Sequence, residues 1–549
     1  MTISRRDSLR LIAVSLATAK LRPWSHRLPA AVPTAPVRLP LEEFVETPRL
    51  LNAYRKAVRA MNARKPSDPL SWFYQAAIHG VSDDARAKAA AQDPGVAKVD
   101  SKFWNQCPHN GQNSANFLPW HRGYTHFLEQ IVRLHAEEDD FALPYWNFTE
   151  KGNRQFPRVF GIQHLDGNLK NDAPSNINPL YLEERDHYFC SYEHPFAEGL
   201  PLLELGDRAV DISRPMGSPI FFGATEREGL GGGIADDDPT TRGLLESYPH
   251  DQIHRAVGGI VLTPGSSEPS AGAMAVPPTA AFDPIFAVVH ANIDRLWVEW
   301  SLMSGKTWGV LPSVAWFNER PWYFVDRNGR VVNEPRWKYF DHRALGVRFK
   351  DEDMSREPLP LPANVTGPKV LALAKQQPAA PKPRVEAHAD TAVRVSPAER
   401  TVVALPAGLR TAARADIALL GKATTPKSER VLLRLLGVQL NQLEGSGFDV
   451  YLTSNPADSL SRDRASFLGS IELFRHQARP GERPDRMVIA DRNESFDATR
   501  AVAGLSDSAI AQLRLVFVPY SLFSTPYPGA AAARGNSVTF TGIELARVP

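Results

Sequence analysis

Apolar residues recur at helical spacing in the middle of the chain. Over Pro284–Trp300, the side chains of Ile285, Phe286, Val289, Ile293, Leu296 and Trp300 fall on one side, which predicts a buried helix. His290 lies in the middle of that side, with Asp294 one turn later. Leu118–His135 reads the same way: Pro119 suits a helix start, and Tyr124, Leu128, Ile131 and Leu134 make an inner face. Pro48–Asn62 and Leu70–His79 are two more predicted helices. The second opens near Asp68-Pro69, which resembles an N-cap followed by a first-turn proline, and closes at His79-Gly80. His250 and His254, spaced i, i+4, project from one face of a further helix. Residues 81–106 read as a polar excursion and 150–240 as loop-rich.

The period then changes. Tyr323–Val325 and Val331–Val332 flank a turn at Asn328-Gly329, a short hairpin pattern within Trp322–Phe349. Residues 358–400 are rich in proline and alanine and read as a linker. Beyond it, Val402–Leu405, Val431–Leu436, Phe448–Leu452, Phe467–Leu473, Leu513–Val518 and Ser537–Leu545 are strand-like runs separated by turn signals, which predict a separate β-sandwich. The fold class expected is mainly α: a helical-bundle core, a small β-containing segment and a C-terminal β-sandwich domain. In residue numbers, this gives a signal over 1–30, a core over 45–320, an extension over 321–357, a linker over 358–400 and the β domain over 401–549.

A chain of 549 residues has length for more than one domain. Its net charge of +2, without a Lys/Arg stripe, argues against a nucleic-acid partner. Two cysteines, Cys107 and Cys190, exclude a disulfide scaffold and a Cys-rich metal site. Arg5-Arg6 before the apolar run Leu11–Ala19 reads as a twin-arginine signal, and hence as export to the periplasm or medium. Ser8 stands where such signals carry Phe. No other run reaches the ~20 apolar residues that a spanning helix needs, so no membrane is expected for the mature form.

Fifteen histidines therefore carry whatever metal chemistry there is. Six lie on or beside core-type segments: His79, His109 and His121 in the first half, and His250, His254 and His290 in the second. Imidazole suits copper, zinc, iron or nickel rather than calcium or magnesium. Two such triads together would make a dinuclear centre with open positions for a small molecule. His126, His135, His164, His187, His194, His342, His388 and His476 are read as ordinary histidines. His250–His254 also invites comparison with the zinc-protease motif H-E-x-x-H, but Asp251 replaces its general-base glutamate.

Phe117–Tyr124 (FLPWHRGY), Ala142–Phe148 (ALPYWNF) and Asp283–Trp297 (DPIFAVVHANIDRLW) together resemble the tyrosinase/catechol oxidase family of type-3 copper proteins, over about residues 45–350. The resemblance implies a four-helix-bundle dicopper core. His79, His109 and His121 would hold one copper ion, and His250, His254 and His290 the other, with O2 as co-substrate. The function implied is oxidation of o-diphenols, with monophenols as a further class, to o-quinones. The alternatives are an o-aminophenol oxidase and a non-catalytic oxygen-binding protein. The partner expected is a small phenolic substrate, with a copper chaperone as a candidate second partner.

Several neighbours acquire implied roles. Cys107 stands two residues before His109, where some relatives form a thioether to that histidine; the other reading is a small buried thiol. Glu246 matches a glutamate that holds water near the second copper and is expected as a general base. Asp251 and Arg255 match positions that face the substrate in relatives, and complete the expected catalytic set. Asp294 is either an outer partner of His290 or half of an ion pair with a nearby arginine. Val289 replaces a histidine usual in relatives and leaves His290 as the ligand position. Gly447–Tyr451 and Phe467–Ser470 resemble, more weakly, the C-terminal domain of plant polyphenol oxidases, which implies a lid and a latent enzyme.

Overall fold

In the computed structural model, the described residues are 35–108, 114–193, 201–223, 229–233, 242–262, 270–362, 365, 384–420, 430–441, 445–457, 459–471, 488–503, 505–527 and 537–548. The twin-arginine segment and His109 lie outside them. Pro36–Pro549 make one compact unit.

Helix α1 (Pro48–Asn62) opens on its proline and buries Leu51, Tyr54, Val58 and Met61. Helix α2 (Trp72–His79) is capped by Ser71, whose hydroxyl accepts the Tyr74 N–H at 3.0 Å. Asp68 instead accepts the N–H of Leu70 at 2.9 Å, so the chain turns once more before the helix begins. Gly80 ends α2 for reasons of space: a Cβ there would lie 2.7 Å from the Pro277 carbonyl oxygen and 2.8 Å from the Pro278 Cα. Helix α3 (Asp83–Gln92) occupies the stretch read as a polar excursion. Its only buried residue is Ala89, so it carries no amphipathic signal, and Ser82 caps it.

Helices α4 (Phe117–Ala136), α5 (Asp251–Gly258) and α6 (Ile285–Leu302) complete the core. Asp283 fixes the start of α6 by accepting the Ile285 N–H at 3.0 Å and pairing with buried Arg185 at 2.6 Å. α6 is buried almost all round, so its polar residues need partners inside the protein. Asp294 meets Arg122 of α4 at 2.7 Å and Arg38 at 3.3 Å, and Arg38 reaches Glu129 of α4 at 2.8 Å. The Arg122 guanidinium also lies 3.4 Å from the centroid of Trp297. This buried network locks α4 to α6 beside His121 and His290.

Strands β1 (Phe324–Val325) and β2 (Val331–Val332) form the expected hairpin. Strand β3 (Arg384–Val395) falls inside the expected linker, where its alternating positions are filled mostly by alanine and polar residues. After it come β4 (Thr401–Ala404), helix α7 (Ala407–Leu420), β5 (Arg430–Asn441), β6 (Ser446–Thr453), β7 (Phe467–Ile471), β8 (Val488–Asp497), β9 (Arg514–Ser521) and β10 (Ser537–Val548). They form two four-stranded antiparallel sheets, ordered β8-β5-β10-β3 and β7-β6-β9-β4. Leu433, Leu435, Phe448, Val450, Phe517 and Phe540 from both sheets share one apolar cluster. The molecule is thus a helical core followed by a β-rich C-terminal domain. Tyr520, Leu522, Phe523 and Tyr527, at and after the end of β9, belong instead to the cluster of the helical core.

Candidate metal centre

Five of the six histidines that the sequence singles out are described, and the fold gathers all five. His79 is the last residue of α2, His121 lies in the second turn of α4, His250 immediately precedes α5, His254 lies within it, and His290 lies in α6. Each is almost completely buried. His250, His254 and His290 bring one ligand atom each to within 4.8 Å of one another. His79, Cys107 and His121 form a second such group. The Cys107 sulfur stands 3.7 Å from His121 Nε2, and the thioether expected to His109 falls outside the described residues.

The rings are held from behind. His121 Nδ1 donates to the Phe117 carbonyl at 2.8 Å, His254 Nδ1 to that of Met274 at 2.9 Å, and His290 Nδ1 to that of Phe286 at 2.9 Å. That leaves Nε2 of each ring for a metal. The Nε2 atoms of His250 and His290 face each other at 3.1 Å. Two imidazole nitrogens about 2 Å from one tetrahedral ion stand about 3.3 Å apart, so this spacing suits a shared ion. Burial drives the His254 pKa down to about 3. It also drives that of His290 far below the usual range, with His121 and His254 adding to the effect. Both rings are therefore neutral at ordinary pH, the form that binds metal. The two groups abut: the rings of His121 and His290 stack with centroids 4.4 Å apart.

The apolar frame around the rings is more specific than a core face. Phe286 stacks on His290 at 3.9 Å and meets His79 edge-on at 4.6 Å. Phe117 lies 4.5 Å from His121 and 4.7 Å from His250. Sequence periodicity places Phe286 inside but does not reveal that it, or Phe117, packs on the histidine rings.

The acidic neighbours of the ligands have partners of their own. Asp251 is fully buried, and its Oδ1 accepts from His250 Nδ1 at 2.9 Å while its other oxygen meets the guanidinium of Arg242. Of the two readings of Asp294, the ion pair holds, because His290 Nδ1 is taken by a carbonyl. Arg255 reaches out of α5 to the backbone carbonyl of Ser446 in the C-terminal domain. Glu246 is buried in the irregular turn Glu246–His250 before α5. Among the histidines read as ordinary, His164 lies between Asp172 and Glu193 and His342 pairs with Glu352, while His194 and His476 lie outside the described residues.

The C-terminal domain contacts the helical core near this region. The Tyr520 hydroxyl lies 3.2 Å from Gln252 Oε1 on α5. Gly206 donates to the Leu522 carbonyl at 2.7 Å, and Ser524 to that of Glu204 at 2.9 Å. Arg462 bridges Asp449 (2.7 Å) and Asp211 of the core (3.1 Å), and Arg208 adds a second cation on Asp449 at 3.1 Å. Tyr527 donates its hydroxyl to buried Asp186.

Residues 69–205 and 222–303 match the model of the common central domain of tyrosinase. Tyrosinase HcTyr1 of Hahella sp. (strain CCB-MM4) is 31% identical over 304 residues, which cover 51% of this chain and 56% of the relative. A chloroplastic polyphenol oxidase of Malus domestica is 24% identical over 461 residues, covering 81% of this chain and 70% of that one. The chain spans about half the length of the first two curated relatives it matches, 56% and 47%. In fold it is similar to latent apple tyrosinase, with a TM-score of 0.55, 21% identity and coverage of 95% of this chain and 99% of that one.

Proposed function

The chain carries the common central domain of tyrosinase, which places it in that family, and from this premise we propose that it is a dicopper oxidase converting o-diphenols to o-quinones with O2. Monophenols are the second substrate class to set beside them. The observation that carries the proposal is the stacking of His121 on His290 at 4.4 Å, which puts two imidazole-lined sites side by side. An all-imidazole set fits copper. His250, His254 and His290 would hold one ion; His79 and His121, with His109, would hold the other. Two copper ions, when bound, supply the electron-transfer chemistry with O2. In this reading α2, α4, α5 and α6 are the four helices of the bundle, and the C-terminal domain begins at β3 rather than at 401.

The chain's own residues do the rest. The carbonyl-anchored Nδ1 atoms fix each ring so that Nε2 stays aimed inward. Phe286 and Phe117 exclude water around them. Glu246 would take the phenol proton on a carboxylate oxygen near the second ion. Arg255 would turn to the substrate once Ser446 is withdrawn.

Latency is part of the proposal, supported by the contacts of Ser446 and Tyr520 with α5, the helix that carries His254. Cutting between Pro362 and Arg384 and displacing the C-terminal domain is expected to raise diphenol oxidation; unchanged turnover after its removal would count against a lid. No helix among the described residues is long and apolar enough to cross a membrane. Export of the folded chain is proposed from Arg5-Arg6. The substrate test is oxygen uptake by the copper-loaded, cut protein with an o-diphenol, a monophenol and an o-aminophenol in parallel. Uptake with none of them would favour the oxygen-binding alternative.

A further inference from the structure

Four histidines of the centre have a partner at Nδ1 that fixes the ring, and one of the four differs from the rest. His121, His254 and His290 each donate to a neutral backbone carbonyl. His250 donates to a carboxylate, Asp251 Oδ1, at 2.9 Å. That carboxylate is fully buried, and its second oxygen rests on Arg242, itself only 2% exposed. A buried, charged His250–Asp251–Arg242 series is costly to assemble and would be superfluous if its task were only to fill space.

We infer that Asp251 is a positioning residue that fixes and strengthens His250 as a ligand of the second metal site, with Arg242 as its counter-ion. A carboxylate behind an imidazole holds the Nδ1–H tautomer, presents Nε2 to the metal and makes that nitrogen a better donor. Arg242 sets its guanidinium against the other carboxylate oxygen and so holds the side chain in place behind the ring. The geometry agrees: His250 Nε2 points at His290 Nε2, 3.1 Å away, on the side opposite Asp251. The consequence is asymmetry. The second site owes part of its affinity to a charged pair lying outside the ligand set, whereas Nδ1 of His121 at the first site donates to the Phe117 carbonyl.

The inference rests on the metal-centre reading, and its test separates the two. Copper(I) is titrated out of the full-length protein with a chromophoric chelator, and metal per chain is followed against chelator concentration. Wild type should hold two ions; fewer than two would overturn the centre itself. Asp251→Asn should release one ion at ~10- to 100-fold lower chelator while keeping the other at the wild-type point. Arg242→Met should weaken the same ion, and Arg242→Lys should restore most of the affinity. His290→Ala identifies which ion belongs to the second site. If Asp251→Asn folds poorly, the Arg242→Met and Arg242→Lys pair decides alone, because only the positioning role makes metal affinity follow the charge at 242. Wild-type release curves for Asp251→Asn, or equal release for the two Arg242 variants, would overturn the inference.

Discussion

At the scale of single residues, the centre depends on what stands behind and beside each ring. Phe286 illustrates the second kind of support. It touches His290 at 3.9 Å, His79 at 4.6 Å and His254 at 5.7 Å between ring centroids. Phe286→Ala should cost about 3–5 kcal/mol in urea unfolding and should also lower copper retention, since a cavity there frees three rings at once. Loss of stability with full copper retention would show the ring to be ordinary core. His109 lies outside the described residues; that His79, His121, His250, His254 and His290 gather was legible in the sequence, because they stand on or beside core-type segments and three motifs frame the region. Arg242 was not: nothing in its spacing from Asp251 announces a contact. Nor did the sequence show that Asp251 turns its carboxylate to His250 and Arg242, because resemblance of position does not fix which way a short side chain turns.

At the scale of elements, Pro48 opens α1 where the sequence places it, whereas Ser71 and not Asp68 caps α2. Elements without such a pattern were missed. α3 buries a single alanine, and β3 presents alanine and polar residues where a strand usually shows large apolar ones. The joint between α4 and α6 has a sharper consequence. Asp294 serves Arg122 and Arg38 in a buried region, so Asp294→Ala removes the carboxylate from Arg122 and leaves Arg38 with Glu129 alone. The expected cost is about 3–5 kcal/mol, measured by denaturant unfolding of the metal-free protein, and a cost under 1 kcal/mol would contradict the locking role.

At the scale of the whole molecule, the C-terminal domain shares the core of the helical part through Tyr520–Tyr527, which the strand pattern alone could not reveal. Asp186 sits at this joint. Burial pushes its pKa up to about 6, against the opposing hydrogen bonds of Tyr527 and three backbone N–H groups. Its folded pKa lies above the unfolded value, so the folded form holds the proton more tightly, and its contribution to stability falls as pH rises from about 4 to 6 and is flat above. The loss is at most about 3 kcal/mol. Asp186→Asn should flatten that part of the stability–pH curve; an unchanged slope between pH 4 and 6 would assign the titration to another group.

The central claim is that two adjacent histidine sets hold a pair of copper ions. Its most direct test is the copper content of the loaded protein and of His290→Ala, measured side by side. The account predicts two ions per chain in the first and one in the second. A single ion in the loaded protein, or two retained without His290, would contradict it.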